Sequence, residues 1–178
     1  PLLDIKNEYL EIFIDAKIKD SIIIKSYSKD PNDPDAVHIK SKNDYIIPGS
    51  SFKGAIRARG ERICNTLKIK SEFINDLFGV VDPDNKEVKP KKGRLLFDEF
   101  KLPAMVAEIQ NRIKIDRFTG GTIEGALFDM KALFASDTDT YERICIRVRN
   151  PKEEDLGLLI LIIKDIWTGD LAVGGEKN

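Results

Sequence analysis

The sequence predicts an α+β fold with the element order β, α, β, insertion, β, α, and three observations carry that prediction. Apolar residues alternate with polar ones over residues 9–18, and they recur at helical spacing over 52–67. Two further alternating stretches, 112–119 and 141–148, then precede an apolar closing helix. With 178 residues the chain is expected to form a single domain over 1–178, long enough to bury a core. Its composition, 42% hydrophobic and 33% charged with only 12 Gly and 8 Pro, is that of a folded chain rather than a disordered or fibrous one.

The first strand is expected from Leu10, Ile12, Ile14, Ala16 and Ile18, which share one face of an extended chain. After a short apolar run at 22–24, the Ser, Asp, Asn and Pro of 26–35 read as irregular, and the whole of 26–44 is expected to be a flexible loop. Pro48-Gly49 makes a turn, Ser50 or Ser51 can cap a helix, and Phe52, Ile56, Ile63 and Leu67 give that helix its apolar stripe. A shorter helix over 72–78 ends at Gly79, a polar loop fills 82–92, and 93–100 is the next strand. Between the strands at 112–119 and 141–148, the Gly-bearing stretch 120–140 reads as an inserted hairpin or arm. The last helix follows Pro151, carries Glu153, Glu154 and Asp155 where the helix dipole favours acids, and stops near Gly169. This order is that of a split βαβ, ferredoxin-like domain, which needs one more strand, expected after Asn178.

Several function classes are excluded early. The 29 basic and 30 acidic residues nearly cancel, so a nucleic-acid partner has to be argued from where charges sit. Two cysteines, Cys64 and Cys145, and one histidine, His38, are too few for a disulfide framework or a four-thiolate zinc site, and a cytoplasmic setting is expected. The longest apolar run, 156–163, is far shorter than the roughly 20 residues of a membrane span, so no membrane partner is expected. The opening Pro1-Leu2-Leu3-Asp4 has neither the basic start nor the apolar stretch of an export signal. Cys64 and Trp167 read as core residues, and His38 as a surface or hydrogen-bonded one.

Chemistry is expected first at 46–57, Ile-Ile-Pro-Gly-Ser-Ser-Phe-Lys-Gly-Ala-Ile-Arg. A Gly-Ser-Ser turn opening a helix aims unpaired backbone N–H groups and the positive end of the dipole at one point, which suits a phosphate. Ser50 and Ser51, with Lys53, Arg57 and Arg59 within two turns, are therefore candidate phosphate contacts; the alternative is an ordinary serine-capped helix with solvated cations. Arg117, Thr119, Gly120 and Gly121, and again Gly174, Gly175 and Lys177, pair glycines with basic residues. Glycine permits close approach of a phosphodiester, and the cation supplies the salt-sensitive part of nucleic-acid binding.

These segments together resemble the motifs of the RAMP superfamily of CRISPR-associated proteins. The resemblance rests on the Pro-Gly-Ser-Ser-Phe-Lys-Gly run, on Asp116-Arg117-Phe118-Thr119-Gly120-Gly121 followed by Gly125-Ala126-Leu127-Phe128-Asp129, and on the terminal Gly-Gly-Glu-Lys-Asn. Leu77-Phe78-Gly79 and Gly93-Arg94-Leu95-Leu96-Phe97 are similar to the segments between them, so the likeness spans most of the chain from Ile46 onward. Within that superfamily the sequence most resembles the backbone (Cas-seven group) subunit of type III effector complexes. The resemblance implies a modified RRM-like fold whose copies stack, with other type III effector subunits, along a guide (CRISPR) RNA that pairs with target RNA. It also implies a thumb at about 120–140 that wedges into the duplex. Leu127, Phe128, Met130, Leu133 and Phe134 would suit such a wedge, although most of them are expected to pack in the thumb's own small core.

The resemblance further implies that an aspartate ahead of Pro48 supports cleavage of target RNA with Mg²⁺ or another divalent cation, the neighbouring ribose 2′-OH acting as nucleophile. Asp35 best matches its position, as catalytic and metal-binding residue, with Asp30 and Asp33 as nearby competitors. The glycine-rich run that precedes this aspartate in the family is replaced here by Ser26-Tyr27-Ser28-Lys29. Two alternatives stay open: a guide-RNA scaffold without catalysis, and a guide-processing endoribonuclease of the same superfamily.

Overall fold

Alternation, helical spacing and turn residues produce most of the expected elements in the computed structural model, which describes residues 8–19, 21–28, 30–81, 89–136 and 141–175. In chain order the strands and helices begin with β1 (Tyr9–Ala16), β2 (Ser21–Ile22), β3 (Lys25–Ser26), β4 (Ala36–His38), β5 (Lys40–Ser41) and β6 (Asp44–Ile47). Then come α1 (Gly49–Leu67), α2 (Ser71–Phe78), β7 (Gly79–Val80), β8 (Lys91–Lys92), β9 (Leu95–Phe97) and β10 (Phe100–Lys101). The chain continues with β11 (Met105–Ile115), β12 (Thr122–Ala135), β13 (Glu142–Arg149) and α3 (Glu153–Trp167). The fold is α+β, as the sequence predicts, and it is organised as two compact units.

The first unit comprises 1–15, 48–100 and 143–172. Its sheet has the order β1-β13-β9, with α1 inserted between the first and second of these strands in sequence and α3 following the third, which is the ferredoxin-like arrangement. Antiparallel pairing sets Ile146 opposite Phe97 and Val148 opposite Leu95. Leu95, Ile146 and Val148, with Phe52 and Ile56 of α1 and Leu158, Leu159 and Ile162 of α3, are buried and form the core, and Phe97 is half-buried. Gly60 lets the helices close: a Cβ there would stand 3.4 Å from Ile74, 3.5 Å from Ile162 and 3.6 Å from Leu158. Arg94 crosses this unit as a buried fork, donating at 2.6 and 2.8 Å to the two carboxylate oxygens of fully buried Asp155 and at 2.9 Å to Asp76. Asp155 also accepts the Lys152 N–H, so the same carboxylate caps α3.

Two expectations change in this unit. Helix α1 starts at Gly49 and its N-cap is Pro48, so Ser50 and Ser51 lie in the first turn and neither caps it. The reason is tertiary: a Cβ at residue 49 would meet the Phe97 carbonyl oxygen at 2.5 Å, so glycine lets the helix begin hard against that backbone. Trp167, expected in the core, is 89% exposed, because it falls on the outer stripe of α3 with Leu156 and Ile160 at i, i+4 and i+11.

The second unit comprises 16–47, 101–142 and 173–178. Its sheet runs β11-β12-β4-β3, with β2 also paired to β12. Strands β11 and β12 form one long antiparallel hairpin, from Met105 opposite Ala135 to Ile115 opposite Thr122. The arm placed at about 120–140 therefore begins at Met105, and its turn lies at 116–121; residues 137–140 lie outside the described ones. The loop expected over 26–44 likewise carries strands β3, β4 and β5, since β4 pairs in parallel with β12 through Ala36–Met130 and Val37–Lys131. Ile23, Met130 and Ala132 are buried together, with Ala36, Phe128 and Phe134 packed against them. None of the described helices is long and apolar enough to cross a membrane.

Candidate nucleic-acid interface

In the first unit, the start of α1 has the features of an anion site at the level of its backbone. No side chain caps it and no acid stands in its first turn, so no side-chain acceptor or negative charge answers the amide donors and the dipole of that end. Ser50 is exposed and Ser51 half-buried there, while the Ser51 and Phe52 N–H groups close back on the Pro48 carbonyl at 3.0 and 3.2 Å. Lys53 is held one turn on, its ammonium donating to the Leu95 carbonyl at 3.0 Å. Burial, followed by the charges of Arg57 and Lys92, pulls its pKa below the ordinary lysine value.

The other two candidate cations, Arg57 and Arg59, are committed inside the unit. Arg57 donates to Glu61 at 2.8 Å, to the Gly79 carbonyl at 2.8 Å and to Asn75 at 3.2 Å, so it ties α1 to the end of α2. Arg59 is paired with Asp165 of α3 at 2.5 Å. Spacing alone had made all three cations equivalent.

In the second unit, the hairpin turn is organised by Asp116. Its carboxylate accepts the Phe118 and Thr119 N–H groups, both at 2.8 Å, and the Thr119 hydroxyl at 3.2 Å. Those backbone donors, Thr119 before Phe118, hold its pKa below the usual carboxylate value. The Gly120 N–H returns to the Asp116 carbonyl at 3.0 Å with φ of 68°, a conformation that suits glycine. This turn leaves Arg117, Thr119, Gly120 and Gly121 exposed and presents Phe118 fully to solvent, a residue the sequence reading had not singled out. Of the five wedge candidates, Met130 and Leu133 are buried and Phe128 and Phe134 are half-buried. Leu127 is 72% exposed, directly opposite exposed Ile113.

Asp35 is exposed at the entry to β4 and makes a reciprocal clasp with Asp129 of β12. The Asp35 N–H donates to one Asp129 carboxylate oxygen at 2.9 Å, and the Asp129 N–H donates to an Asp35 carboxylate oxygen at 3.3 Å. The parallel pairing of the next residues brings the two together across 94 positions of sequence, which is why Asp129 was missed. The competitors are engaged in their own turn: Asp30 accepts from the Asn32 backbone and side chain, and Asp33 from the Ser28 hydroxyl. Two carboxylates supply hard oxygen donors, and no group of three or more His, Cys, Asp or Glu that could hold a metal occurs among the described residues. The set fits Mg²⁺ only where phosphate oxygens of a bound strand complete the shell.

His38 is buried, accepting the Ile24 N–H on Nδ1 at 3.2 Å and donating from Nε2 to the Ile46 carbonyl at 2.8 Å. At the end of the unit, Gly174 has φ of 97°, and a Cβ there would stand 2.9 Å from the Ile23 carbonyl oxygen. The Gly175 N–H donates to that same oxygen at 2.8 Å. This glycine pair thus has an internal packing reason, and Lys177 lies outside the described residues. Against known protein families, the model described as the RAMP superfamily matches residues 15–178, nearly the whole chain. No curated protein matches it.

Proposed function

Because the chain belongs to the RAMP superfamily and so carries a CRISPR-associated, RNA-binding role, we propose that it is a backbone subunit of a type III effector complex. In this reading it binds guide RNA, stacks with copies of itself or related subunits, and positions complementary target RNA for cleavage in the cytoplasm. The observation that carries the binding part is the acid-free first turn of α1, without a side-chain cap and with Lys53 beside it. Ser50, Ser51 and Lys53 would contact guide phosphates, while the turn bearing Arg117, Thr119, Gly120 and Gly121 would carry exposed Phe118 as the stacking or wedging group.

Asp35 is the candidate for cleavage. With Asp129 it would hold a divalent cation against a strand phosphate, and that cation would supply charge neutralisation at the scissile phosphodiester. The chain's own contribution is the clasp, which fixes the Asp35 carboxylate at the entry to β4. A second reading, scaffold without catalysis, is favoured by the same clasp, since one Asp35 oxygen already accepts a backbone N–H. Guide processing by histidine acid–base chemistry is disfavoured, because both ring nitrogens of His38 are bonded to backbone.

The test uses the assembled complex with Mg²⁺ and a labelled target RNA. Asp35→Ala is expected to abolish evenly spaced cutting while target RNA is still retained. Undiminished cutting by that variant removes Asp35 from the mechanism, and absence of cutting by the wild type supports the scaffold reading.

A further inference from the structure

Resting on the RNA-binding reading above, we infer that the RNA backbone lies directly against the outer face of α1 at Gly54 and is gripped from β8 by Lys92. Gly54 sits inside a 19-residue helix, where glycine is destabilising relative to alanine, yet nothing in the protein asks for it. It is exposed, and a Cβ built there would meet no atom within 4 Å. By contrast, Gly49 and Gly60 of the same helix are each explained by a neighbour. A bare patch kept bare at a cost to the helix fits a surface that something outside the protein must approach closely.

The charges around that patch indicate what approaches. Lys53 and Arg57, at i−1 and i+3, flank Gly54 on the helix. Lys92 comes from β8, where it pairs with Gly79, and the Gly79 carbonyl is the one that accepts the Arg57 guanidinium. Two close backbone approaches hold β8 there: a Cβ at Gly79 would stand 2.7 Å from the Gly93 nitrogen, and one at Gly93 would stand 2.3 Å from the Phe78 carbonyl carbon. The neighbouring cations of the unit are shared out differently, since Asp76 takes Lys91, Arg94 and Lys152. Lys92 and Lys53 have no carboxylate partner among the described residues. Like charges gathered beside a smooth helix face, with donors spread over two elements, suit successive phosphates of one strand rather than a single small anion.

Gly54→Ala and Lys92→Gln, made in the full chain, test this against labelled single-stranded RNA by fluorescence anisotropy at 50 and 200 mM salt, with Lys164→Gln as control. Gly54→Ala is expected to raise the urea midpoint and to weaken RNA binding severalfold, two effects that helix propensity alone would not combine. Lys92→Gln removes one phosphate contact, so its gain in affinity on dilution from 200 to 50 mM salt should be about 2.6-fold smaller than that of the wild type. Gly54→Ala that binds as tightly as wild type, or Lys92→Gln with an unchanged salt dependence, overturns the inference while leaving RNA binding elsewhere on the chain intact. A wild-type chain that retains no RNA overturns the functional reading and this inference with it.

Discussion

His38 gives the chain an acid sensitivity whose size follows from its bonding. The ring is neutral in the fold, since Nδ1 must keep a lone pair for the Ile24 N–H while Nε2 carries the proton donated to Ile46. Burial lowers its pKa from the ordinary 6.5, outweighing the backbone bonds that raise it. A folded-state pKa below the unfolded one means that the unfolded chain takes up a proton first as pH falls. Stability is therefore full above about 6.5 and declines from there down to the folded pKa. Acidification from 7.5 to 5.5 lowers the stability by at most about 1.4 kcal/mol, the limit set by protonating an unfolded histidine one unit below its ordinary pKa.

That window isolates the residue, because His38 is the single histidine. Asp15, Asp76 and Asp116 are held below the usual carboxylate range, chiefly by Arg143, Lys91 and the Thr119 N–H respectively. The assay is urea unfolding followed by far-UV circular dichroism at both pH values, since exposed Trp167 reports little on burial. His38→Gln keeps a donor and an acceptor but does not titrate, so its midpoint should be the same at pH 7.5 and 5.5. A wild-type midpoint that does not move, or a Gln variant that falls as far as the wild type, refutes the assignment of a neutral, doubly bonded ring.

Asp155→Ala should destabilise the first unit by about 3–5 kcal/mol in urea titration, because it leaves the buried Arg94 fork without its main counter-charge; a loss under about 1 kcal/mol would show that the pair is not buried as described. Gly49→Ala should cost about 1–3 kcal/mol, since the added Cβ meets backbone oxygens of Phe97 and Asp98 that cannot step aside, and a neutral result would mean that α1 starts elsewhere.

The helices were legible because their signals are local. Phe52, Ile56 and Ile63 of the expected stripe are buried or half-buried, although Leu67 at its end is exposed, and Pro151 with three following acids announces α3. What was not legible depends on partners far along the chain. The hairpin was placed too late because 105–111 does not alternate cleanly, and its strand character comes from pairing with β12. Pro48 replaces a serine cap because of Phe97, nearly fifty residues on. Trp167 illustrates a different gap: its bulk says that it belongs to an apolar stripe, but α3 carries two such stripes and the sequence does not say which faces the core.

The glycines that made the family motifs recognisable turn out to serve two physical ends, and this divides the motifs more finely than spacing could. Gly49 and Gly174 are fixed by the chain's own backbone, at 2.5 and 2.9 Å from carbonyl oxygens, so substitution there should register as lost stability whether or not RNA is present. Gly120 and Gly125 face open space but hold positive φ, so a side chain would strain the hairpin at its turn and on its return strand before it touched any ligand. Gly54 has neither constraint. Its backbone is helical and its surroundings are empty, so alanine should be tolerated, even favoured, by the folded protein alone. Stability and binding are expected to move in opposite directions at that position, whereas at Gly49 and Gly174 a loss of binding would be inseparable from a loss of fold.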